Sequence, residues 1–307
     1  MALLEVMDLS ISFTRYRGLF RQQTLEVING LQLSINPGEV VAVVGSSGSG
    51  KSLLAHAIMG ILPGNARMTG SLRYNGEPLD AKKLAALRGK ELALVPQSVN
   101  YLDPLMKVGA QVRSSSTDKA ELDAQRKAFA RYQLDQKVEQ LYPFQLSGGM
   151  ARRVLLSTAT ISGAKLIVAD EPTPGLHQEV AQETLRRFRE LADEGCAILL
   201  ITHDIESALQ IADKVAVFYA GTTVEVASAA DFSGSGQQLR HPYSQALWQS
   251  LPQNEFKLIP GSQPLPGSLP EGCLFAPRCQ QASAECSSLR PAMRDLRAGL
   301  VRCIHAS

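Results

Sequence analysis

Apolar and polar residues alternate twice near the start of the chain. Leu9, Ile11 and Phe13 are separated by Ser10 and Ser12, and Leu31, Leu33 and Ile35 by Gln32 and Ser34. A period of two belongs to strands with one buried face, so this segment is expected to form an antiparallel β layer. The pattern then changes. The stretch GEVVAVVGSSGSGKSLLAHAIMGIL passes from an apolar strand, Val40 to Val44, through a glycine loop into a helix with Leu54, Ile58 and Ile61 on one face. From about 98 to 162 the pattern is mainly helical and polar, with STDKAELDAQRKAFARY solvent-facing on one side, which predicts an inserted helical subdomain. Alternation resumes with a strand at 166–169, a helix from about 178 to 194 stopped by Gly195, a strand at 197–201, a helix at 205–212 and a strand at 215–219. Strands alternating with helices imply a parallel sheet covered on both faces, hence an α/β fold. After about residue 229 the chain turns rich in Gly, Ser, Pro and Gln and ends in a cysteine-bearing tail. The division expected is therefore a main domain over 1–228 and a small C-terminal extension over 229–307.

Composition narrows the classes. With 307 residues, 45% of them hydrophobic and 20% charged, the chain is of ordinary globular make-up and has the apolar content for a core. Thirty-one basic against 29 acidic residues leave a formal charge of +2, with no basic stripe to track a phosphate backbone, so nucleic acid is not the expected partner. The longest apolar runs, such as Val40–Val44 and Ala197–Ile201, are too short to span a bilayer, and Glu5 and Asp8 stand where a signal peptide would be basic. A cytosolic chain that docks on a membrane protein is expected.

The loop GSSGSGKS fits G-x-x-x-x-G-K-S with Gly45, Gly50, Lys51 and Ser52, between strand and helix. Gly45, Gly48 and Gly50 let backbone N–H groups, including those of Ser46, Ser47 and Ser49, turn inward around a polyphosphate at a helix N-terminus. Lys51 neutralises the outer phosphates and Ser52 can ligate Mg²⁺. Asp170 and Glu171, at the end of the apolar run Leu166–Ala169, face the crevice where such sheets bind ligands. Asp170 is expected to hold Mg²⁺ through water and Glu171 to polarise the attacking water. No Asn-Lys-x-Asp guanine-reading motif is present, which favours ATP.

In YPFQLSGGMARR, Leu146-Ser147-Gly148-Gly149-Met150 stands before a helix. Ser147 with the Gly148 and Gly149 amides forms a second anion-binding nest there. This stretch resembles the signature of ATP-binding cassette (ABC) ATPases, and Met150 in the last place resembles the variant of peptide and nickel importers. The resemblance implies further roles. Gln97 resembles the glutamine that reaches Mg²⁺ and the attacking water and senses the membrane partner. His203 resembles the switch histidine that contacts the γ-phosphate. Phe13 resembles the aromatic that stacks on adenine, with Tyr16 and Phe20 close by and a core role as the alternative. HPYSQALWQSLP (241–252) and EGCLFAPRC (271–279) resemble the C-terminal extension of dipeptide, oligopeptide and nickel importer ATPases. The implied fold is an ABC-type P-loop ATPase with an antiparallel β subdomain, a helical subdomain and the cysteine-bearing extension. The implied work is ATP-driven uptake of a peptide or a related solute such as a nickel chelate, on the cytoplasmic face of the plasma membrane. The implied partners are a second ATPase subunit, two permease subunits and an extracytoplasmic binding protein.

Cys196 begins an apolar strand and reads as a small buried hydrophobe. Cys273, Cys279, Cys286 and Cys303 are spaced C-x5-C-x6-C-x16-C, and in a reducing compartment such thiolates bind metal more often than they pair. Zinc sites show tighter knuckles, and the resemblance implies a 4Fe-4S cluster, with zinc and unligated thiols as the alternatives. A DNA-repair or chromosome ATPase would show a long heptad insertion or a basic face, and a purely regulatory subunit would not need Lys51, Asp170, Glu171 and His203 together. The family pattern has a small residue, Ala, Leu and Asp after the Glu-Pro-Thr stretch, where this chain has Pro174-Gly175-Leu176-His177. In the family this loop crosses to the other subunit's phosphate loop, so the departure points to an asymmetric heterodimer. The alternative is a helix start where Asp would cap better.

Overall fold

The computed structural model describes residues 1–17, 21–114 and 116–307, with backbone only at 16, 17, 21 and 22. Contacts gather these residues into two compact units. Unit 1 comprises Met1–Asn36, Val41–Leu79 and His203–Ser307, and unit 2 comprises Pro37–Val40 and Asp80–Thr202.

Unit 1 opens with the expected antiparallel layer. The strand Leu4–Arg17 lies between Arg21–Ile35 and Ala66–Tyr74, and the last pairs with Glu77–Pro78. The register places Leu4 opposite Ile35, Leu9 opposite Leu31 and Ile11 opposite Ile28, and all six side chains are buried. The alternation in the sequence is thus the inward face of this sheet. A second set of strands begins with Val40–Gly45, which runs parallel to Lys214–Tyr219. Lys214–Tyr219 turns back at Ala220-Gly221 into the antiparallel strand Thr222–Ser228. The tail returns here, because Gly299–Val301 pairs with Thr222–Ser228 and Arg294–Leu296 pairs with Gly299–Val301.

The tail is fastened by a buried ion pair. Arg240 Nη1 lies 3.3 Å from Glu225 Oε1 and 2.8 Å from Asp231 Oδ2, while the backbone N–H groups of Arg240 and His241 donate to the two Glu225 oxygens at 2.8 and 2.9 Å. Glu225 is fully buried and has its charge met on both oxygens, which makes its burial tolerable.

Unit 2 holds the parallel strands Leu92–Val95, Leu166–Asp170 and Ala197–Ile201, with Leu166 opposite both Leu92 and Ala197. The helix Gln178–Asp193 buries Val180, Leu185, Phe188 and Ala192, its i, i+4 face. Over 98–162 the described residues form only helices and turns. Val108–Val112, Lys119–Arg131 and Gly148–Thr160 share a core of Val108, Val112, Phe129, Leu134, Val138 and Val154.

Several boundaries move from their expected places. The helix after the phosphate loop is Lys51–Met59, so Ile61 lies outside it. Gly60 ends the helix at φ 62, a left-handed cap suited to glycine. The helix expected over 205–212 is Ile205–Leu209. Five strands among the described residues had no expectation at all, the short Glu77–Pro78, Arg294–Leu296 and Gly299–Val301 and two longer ones. Ala66–Tyr74 carries Arg, Thr and Gly on a mostly exposed edge, and Thr222–Ser228 buries Thr222, Thr223 and Glu225, which masks the period of two.

Candidate functional site

The strand Val40–Gly45, in unit 1 from Val41 on, is buried at every position and delivers the chain into the glycine loop. Gly45 sits at φ 156, and a Cβ there would run into the carbonyl oxygen of Phe218, so the residue that closes the strand has to be glycine. Gly50 caps the next helix at φ 94 without a side-chain hydrogen bond, leaving that end built from backbone alone. Lys51 Nζ folds back to donate to Gly45 O at 2.8 Å and Ser46 O at 3.1 Å. Ser49 is buried, Ser47 and Gly48 are exposed, and Ser52 follows Lys51 in the first helical turn. Ser46 is held from afar, since its Oγ donates to Gln263 Oε1 at 2.6 Å.

In unit 2 the two acids end a fully buried strand, with Asp170 3% and Glu171 8% exposed. Glu171 adopts φ 49, the left-handed region that costs a non-glycine residue of the order of 1 kcal/mol or more. Its N–H donates to Ile201 O at 2.9 Å. Its carbonyl accepts from Arg152 Nη1 at 2.6 Å, and Arg152 Nη2 donates to Gln97 O, also at 2.6 Å. One guanidinium therefore joins the segment bearing Gln97 to the segment bearing Glu171. Burial lowers the pKa of Arg152, while Glu171 and Asp170 act the other way. Gln97 is exposed and lies two residues past the strand Leu92–Val95. Ser147 is the N-cap of Gly148–Thr160, its Oγ accepting from Met150 N at 3.3 Å, and Ser147 and Gly148 are exposed while Gly149 is half-buried. His177 is the N-cap of Gln178–Asp193 and makes no side-chain capping bond.

His203, in unit 1, is exposed two residues past Ala197–Ile201, and its neighbour Asp204 caps the following helix by accepting from Ser207 N at 3.0 Å. Phe13 is half-buried in the first strand, opposite Leu25 on one side and Ala66 on the other. Phe20 and the side chain of Tyr16 lie outside the described residues.

Cys196 is buried, and burial pushes its thiol up to about 11, as befits a small hydrophobe. Cys286 and Cys303 are buried, and Cys273 and Cys279 are half-buried. Cys273 N–H donates to Cys286 O at 2.7 Å. Burial raises the Cys273 and Cys279 thiols, and Cys303 and Cys286 raise both further. The four cysteines thus belong to one module. Among the described residues, however, no three His, Cys, Asp or Glu side chains are grouped so as to hold a metal ion. The donor set suits a metal centre, and its arrangement does not.

Sequence reasoning missed Arg152, Tyr243 and Gln263. Arg152 reads as one more polar residue on a helix, and the other two lie in segments whose contacts are far away in the chain.

Residues 28–174 match the family model for the ABC transporter, and residues 224–286 match that for the oligopeptide/dipeptide transporter C-terminal region. The chain is 36% identical over 313 residues to the oligopeptide transport ATP-binding protein OppD of Escherichia coli strain K12, which covers 94% of this chain and 89% of OppD. It is 33% identical to AppD of Bacillus subtilis strain 168, over 98% of this chain and 96% of AppD. It is 31% identical to the dipeptide transport ATP-binding protein DppD of Haemophilus influenzae, over 99% of this chain and 95% of DppD. Among solved structures, the dimeric post-hydrolysis state of an ATP-binding cassette bound to ADP and phosphate superposes with a TM-score of 0.64 at 22% identity, over 74% of this chain and 98% of that one, and so shares the fold. With curated relatives above 30% identity along nearly its whole length, this chain belongs to the ATP-binding subunits of ABC transporters that carry the oligopeptide/dipeptide C-terminal region, ATPases that couple hydrolysis to transport.

Proposed function

We propose that the chain drives uptake of short peptides, working at the cytoplasmic face of the membrane with two permease subunits, an extracytoplasmic peptide-binding protein and a second ATPase. The observation that carries this is the C-terminal region at 224–286, shared with relatives named for oligopeptide and dipeptide transport. No helix among the described residues is long and apolar enough to cross a membrane. The test is uptake by vesicles carrying the complex. Labelled di- to pentapeptides should enter only with ATP, and entry of a nickel chelate in their place would overturn the peptide reading.

The residue roles proposed rest on the chemistry of the phosphate loop and the acid pair and, for Gln97, His203 and Phe13, on the family resemblance. Backbone N–H groups from Gly45 to Gly50 wrap the phosphates, Lys51 neutralises the outer ones, and Ser52 and Asp170 would hold Mg²⁺ when it arrives with ATP, with Gln97 reaching the same ion. Glu171 orients and polarises the attacking water, and His203 contacts the γ-phosphate. Ser147, Gly148 and Gly149 offer a hydroxyl and backbone N–H groups to the nucleotide of the partner subunit. Phe13 lies against adenine. Chain segments 1–228 and 229–307 act as ATPase and extension, with 98–162 as the helical part.

The partner is a different ATPase. The support is the departure of Pro174-Gly175-Leu176-His177 from the family's loop pattern, the alternative being a helix start where a capping Asp would be favoured by about 1 kcal/mol. In this reading His177 perturbs only the partner's ATP site. His177→Asp should change the hydrolysis rate when the partner's catalytic glutamate is intact and leave it unchanged when that glutamate is Gln. An unchanged rate in both backgrounds would reduce His177 to a helix start.

For the tail, Cys273, Cys279, Cys286 and Cys303 would be drawn together as the ligands of a structural 4Fe-4S cluster, a reading supported by the donor set and by Cys273 N–H donating to Cys286 O at 2.7 Å. Protein purified without oxygen should be brown and lose its colour in Cys279→Ser. A colourless preparation with stoichiometric zinc would refute it.

A further inference from the structure

The phosphate loop is gripped by the C-terminal region. Ser46, the first residue after Gly45, donates from Oγ to Gln263 Oε1 at 2.6 Å, and Tyr243 lies close enough for Ser46 to lower the pKa of its hydroxyl, against the larger upward push of burial. All three residues belong to unit 1.

Neither contact is a chance meeting of surface side chains. Tyr243 is 2% exposed and lies in the first turn of the helix Pro242–Gln249, whose start is fixed by His241 Nδ1 accepting from Tyr243 N at 3.0 Å. Its ring packs on Tyr219 with centroids 4.4 Å apart and on Phe275 at 5.3 Å. Tyr219 ends the strand that runs beside Val40–Gly45, where Phe218 is registered against Gly45. The strand beside the one that feeds the loop and the Tyr243 ring near Ser46 are therefore set by one aromatic cluster. Arg278 extends the same frame toward Gln263. Its guanidinium lies 5.8 Å over the Tyr219 ring, donates to the Tyr219 hydroxyl at 3.2 Å, and donates to Pro260 O at 2.7 Å and Ile259 O at 3.2 Å, just before the residue that meets Ser46.

A loop of glycines and serines has wide conformational freedom, and ordering it around a triphosphate costs entropy that lowers affinity. Contacts that hold the loop beforehand remove part of that cost. We infer that Tyr243 and Gln263 are positioning residues of the ATP site, which brace the phosphate loop through Ser46 and make the C-terminal region part of the nucleotide-binding machinery. The inference rests on the reading of that loop as the ATP site.

The test is a set of MgATP titrations on the full chain. Tyr243→Phe keeps the ring and its packing and removes only the hydroxyl, and Gln263→Ala removes the acceptor. Each should weaken MgATP binding about three- to tenfold, the range of one modest hydrogen bond. Ser46→Ala should do the same, and adding Tyr243→Phe or Gln263→Ala to Ser46→Ala should weaken binding no further. A general structural defect would not cancel in this way. Wild-type affinity in Tyr243→Phe and Gln263→Ala, or losses that simply add to that of Ser46→Ala, would overturn the brace. Lys51→Ala, measured alongside, should abolish binding. If Lys51→Ala binds normally the loop is not the ATP site, whereas if only the brace variants bind normally the loop reading stands and the brace falls.

Discussion

The phosphate loop in unit 1 and the acid pair in unit 2 are held by opposite means. The loop relies on glycine freedom and on partners remote in sequence, Ser46 meeting Gln263 across 217 positions. The acid pair sits at the end of a buried strand, in a strained left-handed turn at Glu171, and is tied by an arginine only 19 positions away. The loop must close around a ligand and the acid must stay where water will be polarised. The difference therefore teaches that flexibility needs external bracing while a fixed carboxylate can be anchored through its own backbone.

Glu171→Gln draws the sharpest line between the two regions. It should cut hydrolysis by about 100-fold or more, the usual worth of a general base, while MgATP still binds. Loss of binding in parallel, seen in the same titration, would mean that the acid pair also shapes the loop. Arg240→Met comes next and affects unit 1. It strands Glu225 without its cation and should cost about 3–5 kcal/mol of stability, read from denaturant unfolding. Arg152→Met removes both charged donors from the carbonyls of Glu171 and Gln97 and should lower stability by about 2 kcal/mol. It should also slow hydrolysis at saturating ATP while leaving affinity nearly unchanged, the reverse of what Tyr243→Phe should do.

The smallest effect per step is on pH. Burial pulls His241 down from 6.5 to about 3, so between those values the unfolded chain binds a proton that the folded chain does not. Stability contributed by this group is complete above about pH 6.5 and falls as pH drops, by about 1.4 kcal/mol per pH unit, until roughly pH 3. Unfolding curves between pH 7 and 4 should show that slope in wild type and a shallower one in His241→Asn.

What the sequence made legible was local. The loop 45–52, the signature 146–150, the acids 170–171 and the strand 197–201 announce themselves through spacing and through apolar runs bounded by glycine. The supports of the site were hidden because their partners are distant. Gln263 lies in an irregular stretch rich in Pro and Gly, without a period to read, and Arg152 is indistinguishable from a solvated helical arginine until its two carbonyl partners are seen. Thr222–Ser228 was hidden for another reason, since a strand that buries Thr222, Thr223 and Glu225 loses its alternation.

The interleaving of the two units has a consequence for how the chain is made. Unit 2 takes all but four of its residues from one continuous stretch, Asp80–Thr202, while unit 1 joins Met1–Asn36 to His203–Ser307. As the polypeptide leaves the ribosome, Leu4–Arg17 and Arg21–Ile35 can pair at once, but the carbonyl of Gly221 that receives Asn29 N–H and the guanidinium of Arg302 that meets Gly30 O come much later. At roughly 5–20 residues per second, Arg302 follows Gly30 by on the order of tens of seconds. Until then the N–H of Asn29 and the carbonyl of Gly30 lack these partners, although unit 2 has had all its strands since Ile201 emerged.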